Sequence, residues 1–123
     1  MTDPLVWLPF DPSELGEAPQ GLRYQVVDGD PLPDEGRDEV EFFVMPYRFA
    51  KADAEAISTM TNLRVVQTMT AGVEHVRSHV PDGVLLCNGR GIHDTSTAEL
   101  VLALTLASLR GIPEFVREQD REE

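Results

Sequence analysis

The sequence holds one cysteine, Cys87, and one lysine, Lys51. A lone cysteine excludes an intrachain disulfide and a thiolate metal cluster. Basic residues are scarce altogether. Ten Lys and Arg stand against 22 Asp and Glu, giving a formal net charge of −12 over 123 residues. Such acidity argues against nucleic acid, whose phosphates need a basic face. It argues equally against docking to an anionic membrane surface. Its simplest consequence is solubility. No apolar run reaches the roughly 20 residues that span a bilayer. No charged n-region, apolar h-region and cleavage site opens the chain, so a cytoplasmic location is expected. A P-loop, zinc-ligand spacing and a G-x-S-x-G nucleophile turn are missing too. Gly89-Arg90-Gly91 supplies a GxG, but Asp94 stands where GxGxxG needs its last glycine.

What is present suits one globular domain: 41% hydrophobic and 26% charged residues, without repeats or low-complexity stretches. Leu5–Phe10 (LVWLPF), Arg23–Val27 (RYQVV), Val40–Tyr47 (VEFFVMPY), Leu63–Met69 (LRVVQTM) and Val84–Cys87 (VLLC) are short apolar or β-rich runs bounded by Pro, Gly and Asp. They read as five strands. Asp11–Gln20 reads as a loop or a short capped helix, Ala52–Met60 as a helix, and Val73–Val80 as a short helix. Continuous apolar strands alternating with helices indicate a parallel sheet covered on both faces. Ligands of such sheets bind outside the carboxyl ends of the strands. Attention therefore falls on the loops after Tyr47, Met69 and Cys87.

Ser96–Arg110 (STAELVLALTLASLR) reads as the longest helix. Ser96 and Glu99 have capping-box spacing, and Gly111 with Pro113 mark a stop. This helix is apolar nearly all round, where an ordinary surface helix has one apolar stripe. It therefore calls for two partners.

The turn Thr70-Ala71-Gly72-Val73 joins a strand to a helix. Gly72 permits a tight turn, and the amides of Ala71, Gly72 and Val73 would be donors at a helix N-terminus, suited to a carboxylate or phosphate. The plainer reading is that Gly72 only allows the chain to turn. Arg48, after the third strand, suits either an anionic ligand or an ion pair. His93 lies just before the long helix and could donate to a ligand; a lone loop histidine is more often unspecialised. His75 and His79 have metal-like spacing, but no third ligand is near, and they read as surface residues. Cys87 reads as a buried small side chain. A phosphoacceptor receiver domain would want a lysine after the fifth strand, whereas Lys51 lies near the third.

Three pieces taken together, LRVVQTMTAGVEHV, PDGVLLCN and GIHDTSTAELVLALTLASLR, resemble the first domain of the D-isomer-specific 2-hydroxyacid dehydrogenases. The resemblance covers Asn62–Arg110; the first half of the chain fits only in strand pattern. It implies a flavodoxin-like substrate domain over residues 1–95, followed by an interdomain helix and tail over 96–123. It implies interconversion of 2-oxo acids and D-2-hydroxy acids with NAD or NADP held by a Rossmann domain. The amides of Ala71, Gly72 and Val73 would hold the substrate carboxylate, Tyr47, Arg48 and His93 would line the pocket, and Thr97 would face the cofactor. The family's glycine-rich cofactor loop and its Arg, Glu and His catalytic residues come later than this chain reaches. No catalytic residue is therefore assigned, no cofactor is expected to bind tightly, and the chain alone is expected to be inactive. A second expectation is a non-enzymatic flavodoxin-like module that forms a homodimer or binds a protein through its apolar helix. A third, flavin binding, rests on fold analogy alone.

Overall fold

The computed structural model describes residues 2–48 and 50–121. It divides into two compact units, Met1–Arg90 and Gly91–Glu123. The first carries five strands: β1 (Leu5–Leu8), β2 (Arg23–Val26), β3 (Val40–Val44), β4 (Val65–Gln67) and β5 (Leu85–Cys87). All neighbours pair in parallel, in the order β2-β1-β3-β4-β5. This is an α/β fold of the flavodoxin-like kind. Each strand is shorter than the apolar run that announces it. The first stops at Leu8, before Pro9, which has no N–H to give a ladder. The third stops at Val44, although the Met45 amide still donates to the Gln67 carbonyl at 2.9 Å.

Side chains alternate across the strands, and the two faces have different covers. On one, Trp7, Phe43 and Val66 are fully buried against Ala54 and Ile57 of α1 (Lys51–Ile57) and Val76 of α2 (Glu74–Arg77). The Trp7 ring meets Phe43 edge to face at 6.3 Å, and its Nε1 donates to Gln25 Oε1 at 3.0 Å. The apolar body is thus packed while its polar atom is satisfied. Among the described residues of Met1–Arg90, no α-helix lies on the other face. There a groove of about 400 Å³ is lined by Val6, Leu8, Phe42, Val44 and Met69 and by Leu15 and Leu22 from the loop after β1. The expected covering on both faces is therefore incomplete within this unit. The β1–β2 connection supplies only a 3-10 turn, Pro12–Leu15, where a full helix would be needed.

The second unit is α3 (Asp94–Leu109) and α4 (Ile112–Arg121). The start of α3 differs from the capping-box expectation. His93 is the N-cap, its carbonyl accepts the Thr97 amide at 2.9 Å, and no side chain caps the helix. Ser96 lies inside the first turn, where its hydroxyl donates back to the His93 carbonyl at 3.1 Å. Asp94 in that turn complements the dipole instead. The stop is as expected: Gly111 takes a φ of +63°, and its amide returns to the Ser108 carbonyl. Pro113 does not end helical structure. It sits in the first turn of α4, where the missing N–H costs no hydrogen bond. Among the described residues no helix is long and apolar enough to cross a membrane.

Candidate anion-binding site

In a sheet of this order the strand sequence reverses beside β1, and the crevice lies at the carboxyl ends of the strands there. The chain leaves the carboxyl ends of all five parallel strands on this side, among them Met45–Arg48 after β3 and Thr68–Val73 after β4. The loop after β4 is fixed almost wholly through its carbonyls. The Thr70 carbonyl accepts from Thr68 Oγ1 at 2.9 Å and from the Gly89 amide at 2.8 Å. The Ala71 carbonyl accepts from Asn88 Nδ2 at 2.8 Å. Thr70 Oγ1 donates to the Gly72 carbonyl at 2.7 Å. The Val73 carbonyl accepts the amides of Val76 and Arg77. Four successive carbonyls are thus occupied. Among the described residues, the bonds that hold this loop do not use the amides of Ala71, Gly72 and Val73. Ala71 and Gly72 are exposed and Val73 is half-buried. This leaves three consecutive donors on an accessible loop, the requirement for binding an oxyanion.

Two details change the expected picture. Gly72 lacks the positive φ found at Gly16, Gly21, Gly36, Gly83, Gly91 and Gly111, so the turn does not demand glycine for its backbone angle. A Cβ there would lie 2.8 Å from Glu74 Oε2, the end of an exposed and flexible side chain that can move aside, so space does not demand glycine either. The following helix is also shorter than the expected Val73–Val80. It runs only from Glu74 to Arg77, because Pro81 and Gly83 follow closely and the chain must turn into β5. One helical turn carries little macrodipole, so anion affinity here rests on the amides themselves. Glu74 brings a negative charge beside them.

The loop after β3 flanks this one. Tyr47 is exposed there, at 63%. Arg48 is bound on several sides within the unit. Its Nε and one terminal nitrogen grip both oxygens of Asp53 at 2.7 and 2.9 Å, and it also donates to the carbonyls of Asp28 and Gly29 at 3.0 and 2.8 Å. The Asp53 side chain is 1% exposed. The hydrogen bonds to Asp53 hold the guanidinium above the ordinary arginine range. Of the two readings of Arg48, the structure displays the ion pair, which ties α1 to the loop after β2. Asp53 was not singled out in the sequence. Its signal is an acid among Ala52, Ala54 and Ala56, on the side of α1 that packs inward. Asn88 and Thr68 were missed too; each is a short polar side chain at a strand end, common in any turn.

His93 and Thr97 belong to the second unit, His93 at the N-cap of α3 and Thr97 exposed in its first turn. His75 is exposed in α2 and His79 follows that helix, half-buried. Among the described residues no group of three or more His, Cys, Asp or Glu could hold a metal. Cys87 is half-buried at the end of β5. The residues before α3 do not fit a dinucleotide. The last glycine of the fingerprint is replaced by Asp94, whose carboxylate lies in the helix's first turn, where a pyrophosphate would sit.

Over 69 residues, 54% of this chain, the sequence is 35% identical to a D-3-phosphoglycerate dehydrogenase of Archaeoglobus fulgidus. The matched segment is 13% of that protein's length. No family model matches the chain. No solved structure matches it.

Proposed function

We propose that this chain is the substrate-binding domain of an NAD(P)-dependent D-2-hydroxyacid dehydrogenase, and that the amides of Ala71, Gly72 and Val73 hold the carboxylate of a 2-oxo or D-2-hydroxy acid. The observation that carries this reading is the loop after β4, whose four carbonyls are occupied while three successive amides are not used to hold it. The partial similarity to a D-3-phosphoglycerate dehydrogenase, an enzyme of that family, supports the class of acid.

In this reading the chain binds and orients, and does not carry out the redox step. The three amides fix the carboxylate, and so place the 2-carbon beyond the strand ends. Tyr47 offers a phenol at the neighbouring loop. Arg48 and Asp53 act at one remove, by holding the loops after β2 and β3 together. A nicotinamide, when bound elsewhere in a full enzyme, supplies the hydride. The residues before α3 do not fit a dinucleotide, so the chain's own part is to hold and orient the acid.

A titration of ¹⁵N-labelled chain with pyruvate and D-lactate tests the site. Amide shifts are expected at Ala71, Gly72 and Val73, with a dissociation constant of roughly millimolar order for so small a ligand. Propionamide, which lacks the carboxylate, leaves them unmoved. Glu74→Gln removes the competing charge and tightens binding roughly two- to fivefold. Shifts scattered over the sheet, or none at saturating acid, sink the reading. NADH and pyruvate mixed with the chain alone are expected to show no loss of nicotinamide absorbance.

A further inference from the structure

Resting on the acid-binding reading above, we propose that Asn88 and Thr70 are positioning residues of the anion site. By donating to the Ala71 and Gly72 carbonyls, they aim and strengthen the Gly72 and Val73 amides toward a bound carboxylate. A peptide group is one planar unit, and across a trans bond its carbonyl and its N–H point opposite ways. The bonds Thr70-Ala71, Ala71-Gly72 and Gly72-Val73 are trans. A donor that fixes the carbonyl of one residue therefore fixes the amide of the next. Each of the three amides has such a donor behind it. Thr68 Oγ1 and the Gly89 amide hold the Thr70 carbonyl, behind the Ala71 amide. Asn88 Nδ2 holds the Ala71 carbonyl, behind the Gly72 amide. Thr70 Oγ1 holds the Gly72 carbonyl, behind the Val73 amide.

Each of these peptides has its carbonyl bonded and its amide left over, the state of the peptides in the first turn of a helix. In a helix that state comes from the ladder, whose aligned dipoles add to the pull on an anion. Here α2 has only the four residues Glu74–Arg77 and supplies little of that pull. The donors behind the loop take over the task. A hydrogen bond at the carbonyl draws electrons through the amide bond and makes the N–H of the same unit a better donor, by about 10–30% per bond. Asn88 is suited to this place because its side chain both donates and accepts. Its Nδ2 reaches the Ala71 carbonyl at 2.8 Å while its Oδ1 accepts the Arg90 amide at 3.4 Å, so both ends of the group are set. It stands at the end of the neighbouring strand, where Cys87 pairs with Gln67. Asn88 is exposed and takes no part in the buried core. What it contributes is therefore its hydrogen bonds and not its packing.

Nuclear magnetic resonance on the ¹³C,¹⁵N-labelled full chain, free and with pyruvate, tests this. In the free chain, Asn88→Leu is expected to move the Ala71 carbonyl carbon and the Gly72 nitrogen upfield, the mark of a bond lost at that carbonyl. The Val73 nitrogen changes little. Thr70→Val is expected to act one peptide later, on the Gly72 carbonyl carbon and the Val73 nitrogen. With pyruvate, Asn88→Leu weakens binding roughly three- to tenfold and Thr70→Val roughly two- to fivefold. Thr70→Ser keeps the hydroxyl and brings both the affinity and the Val73 resonance back. Amide resonances across the sheet stay at the parent's positions in all three variants, which separates a loss of aim from a loss of fold. A parent chain that does not bind pyruvate brings down the acid-binding reading, and this proposal with it. A parent that binds, beside an Asn88→Leu variant that binds as tightly, overturns this proposal alone. So does a Thr70→Ser variant as weak as Thr70→Val, or an Asn88→Leu spectrum in which the amides of Ala71, Gly72 and Val73 move equally.

Discussion

The two units of this chain treat similar side chains in opposite ways. In Met1–Arg90, Leu5, Trp7, Leu8, Val40, Phe43 and Val66 are buried. In Gly91–Glu123, no residue of α3 or α4 is buried, and Leu109 is 77% exposed. The difference lies in how each element divides its surface. A strand in a covered sheet has two narrow faces, and its neighbours satisfy its edges. A helix apolar on opposed faces needs a partner for each, and α4 is too polar and too short to be both. Apolar content shows that a segment needs burial; the periodicity shows how many partners the burial takes.

The sharpest way to break that contrast is a pair of truncations. Trp7→Ala empties the centre of the sheet's covered face and removes the bond to Gln25. It is expected to cost about 3–5 kcal/mol in a urea titration. Leu104→Ala, in α3, is expected to stay within about 0.5 kcal/mol, since the side chain is already in water. Equal costs at the two positions would show that α3 is packed in solution and would remove the contrast.

A smaller effect tests how the sheet unit holds its loops. Arg48→Met leaves the Asp53 carboxylate buried with neither of its guanidinium bonds. Loss of one partner from a buried pair costs about 3–5 kcal/mol when both are sealed. Arg48 is partly open to water, so about 2–3 kcal/mol is expected, again by urea titration. Arg48→Met with Asp53→Leu is expected to recover much of it. A single variant as stable as the parent would show that the buried Asp53 carboxylate does not depend on Arg48. No comparable buried pair exists among the described residues of α3 and α4, whose ion pairs, Arg117–Glu114 and Arg121–Glu118, lie in water.

These contrasts also mark what the sequence could and could not reveal. All five strands and their parallel direction were legible, because buried strands in such sheets are short apolar runs between Pro, Gly and Asp. The apolar excess of α3 was legible for the same reason. The α3 cap was misread because a capping box is defined by spacing alone, and His93 with Asp94 could begin the helix one turn earlier. The helix α4 was missed because Pro113 reads as a stop, although Ile112, Phe115 and Val116 already have helical spacing. At the candidate site, the amides of Ala71–Val73 were legible from the strand-Gly-helix order. The carbonyl bonds from Thr68, Thr70 and Asn88 were not. Those from Thr68 and Thr70 are two-residue bonds that a turn threonine can make or leave unmade, whereas Asn88 reaches Ala71 across 17 residues of chain because β5 lies beside β4.

The capping difference yields the smallest effect and the most specific one. Where α3 starts with no side-chain cap, the turn after β1 starts with a full one. Asp11 Oδ1 accepts both the Ser13 amide at 2.8 Å and the Ser13 hydroxyl at 2.5 Å. Those bonds, the hydroxyl's first, hold the Asp11 carboxyl below its ordinary value of 3.8. A carboxyl with a lowered folded value stabilises fully above its unfolded value, and the contribution fades as pH falls through the lowered one. The stability gap between the parent and Asp11→Ala is therefore expected to be constant from neutrality down to about pH 4 and to close below it. Asp11→Asn keeps an acceptor without the charge, so its own stability lacks that acid-dependent component. His93→Asp would give α3 the side-chain acceptor it lacks and is expected to add a similar acid-sensitive increment to its helicity. A parent-to-Asp11→Ala gap that is flat through acid, or that widens, would mean the carboxylate's charge does not set the start of the turn. The two helical starts would then differ in form and not in energy.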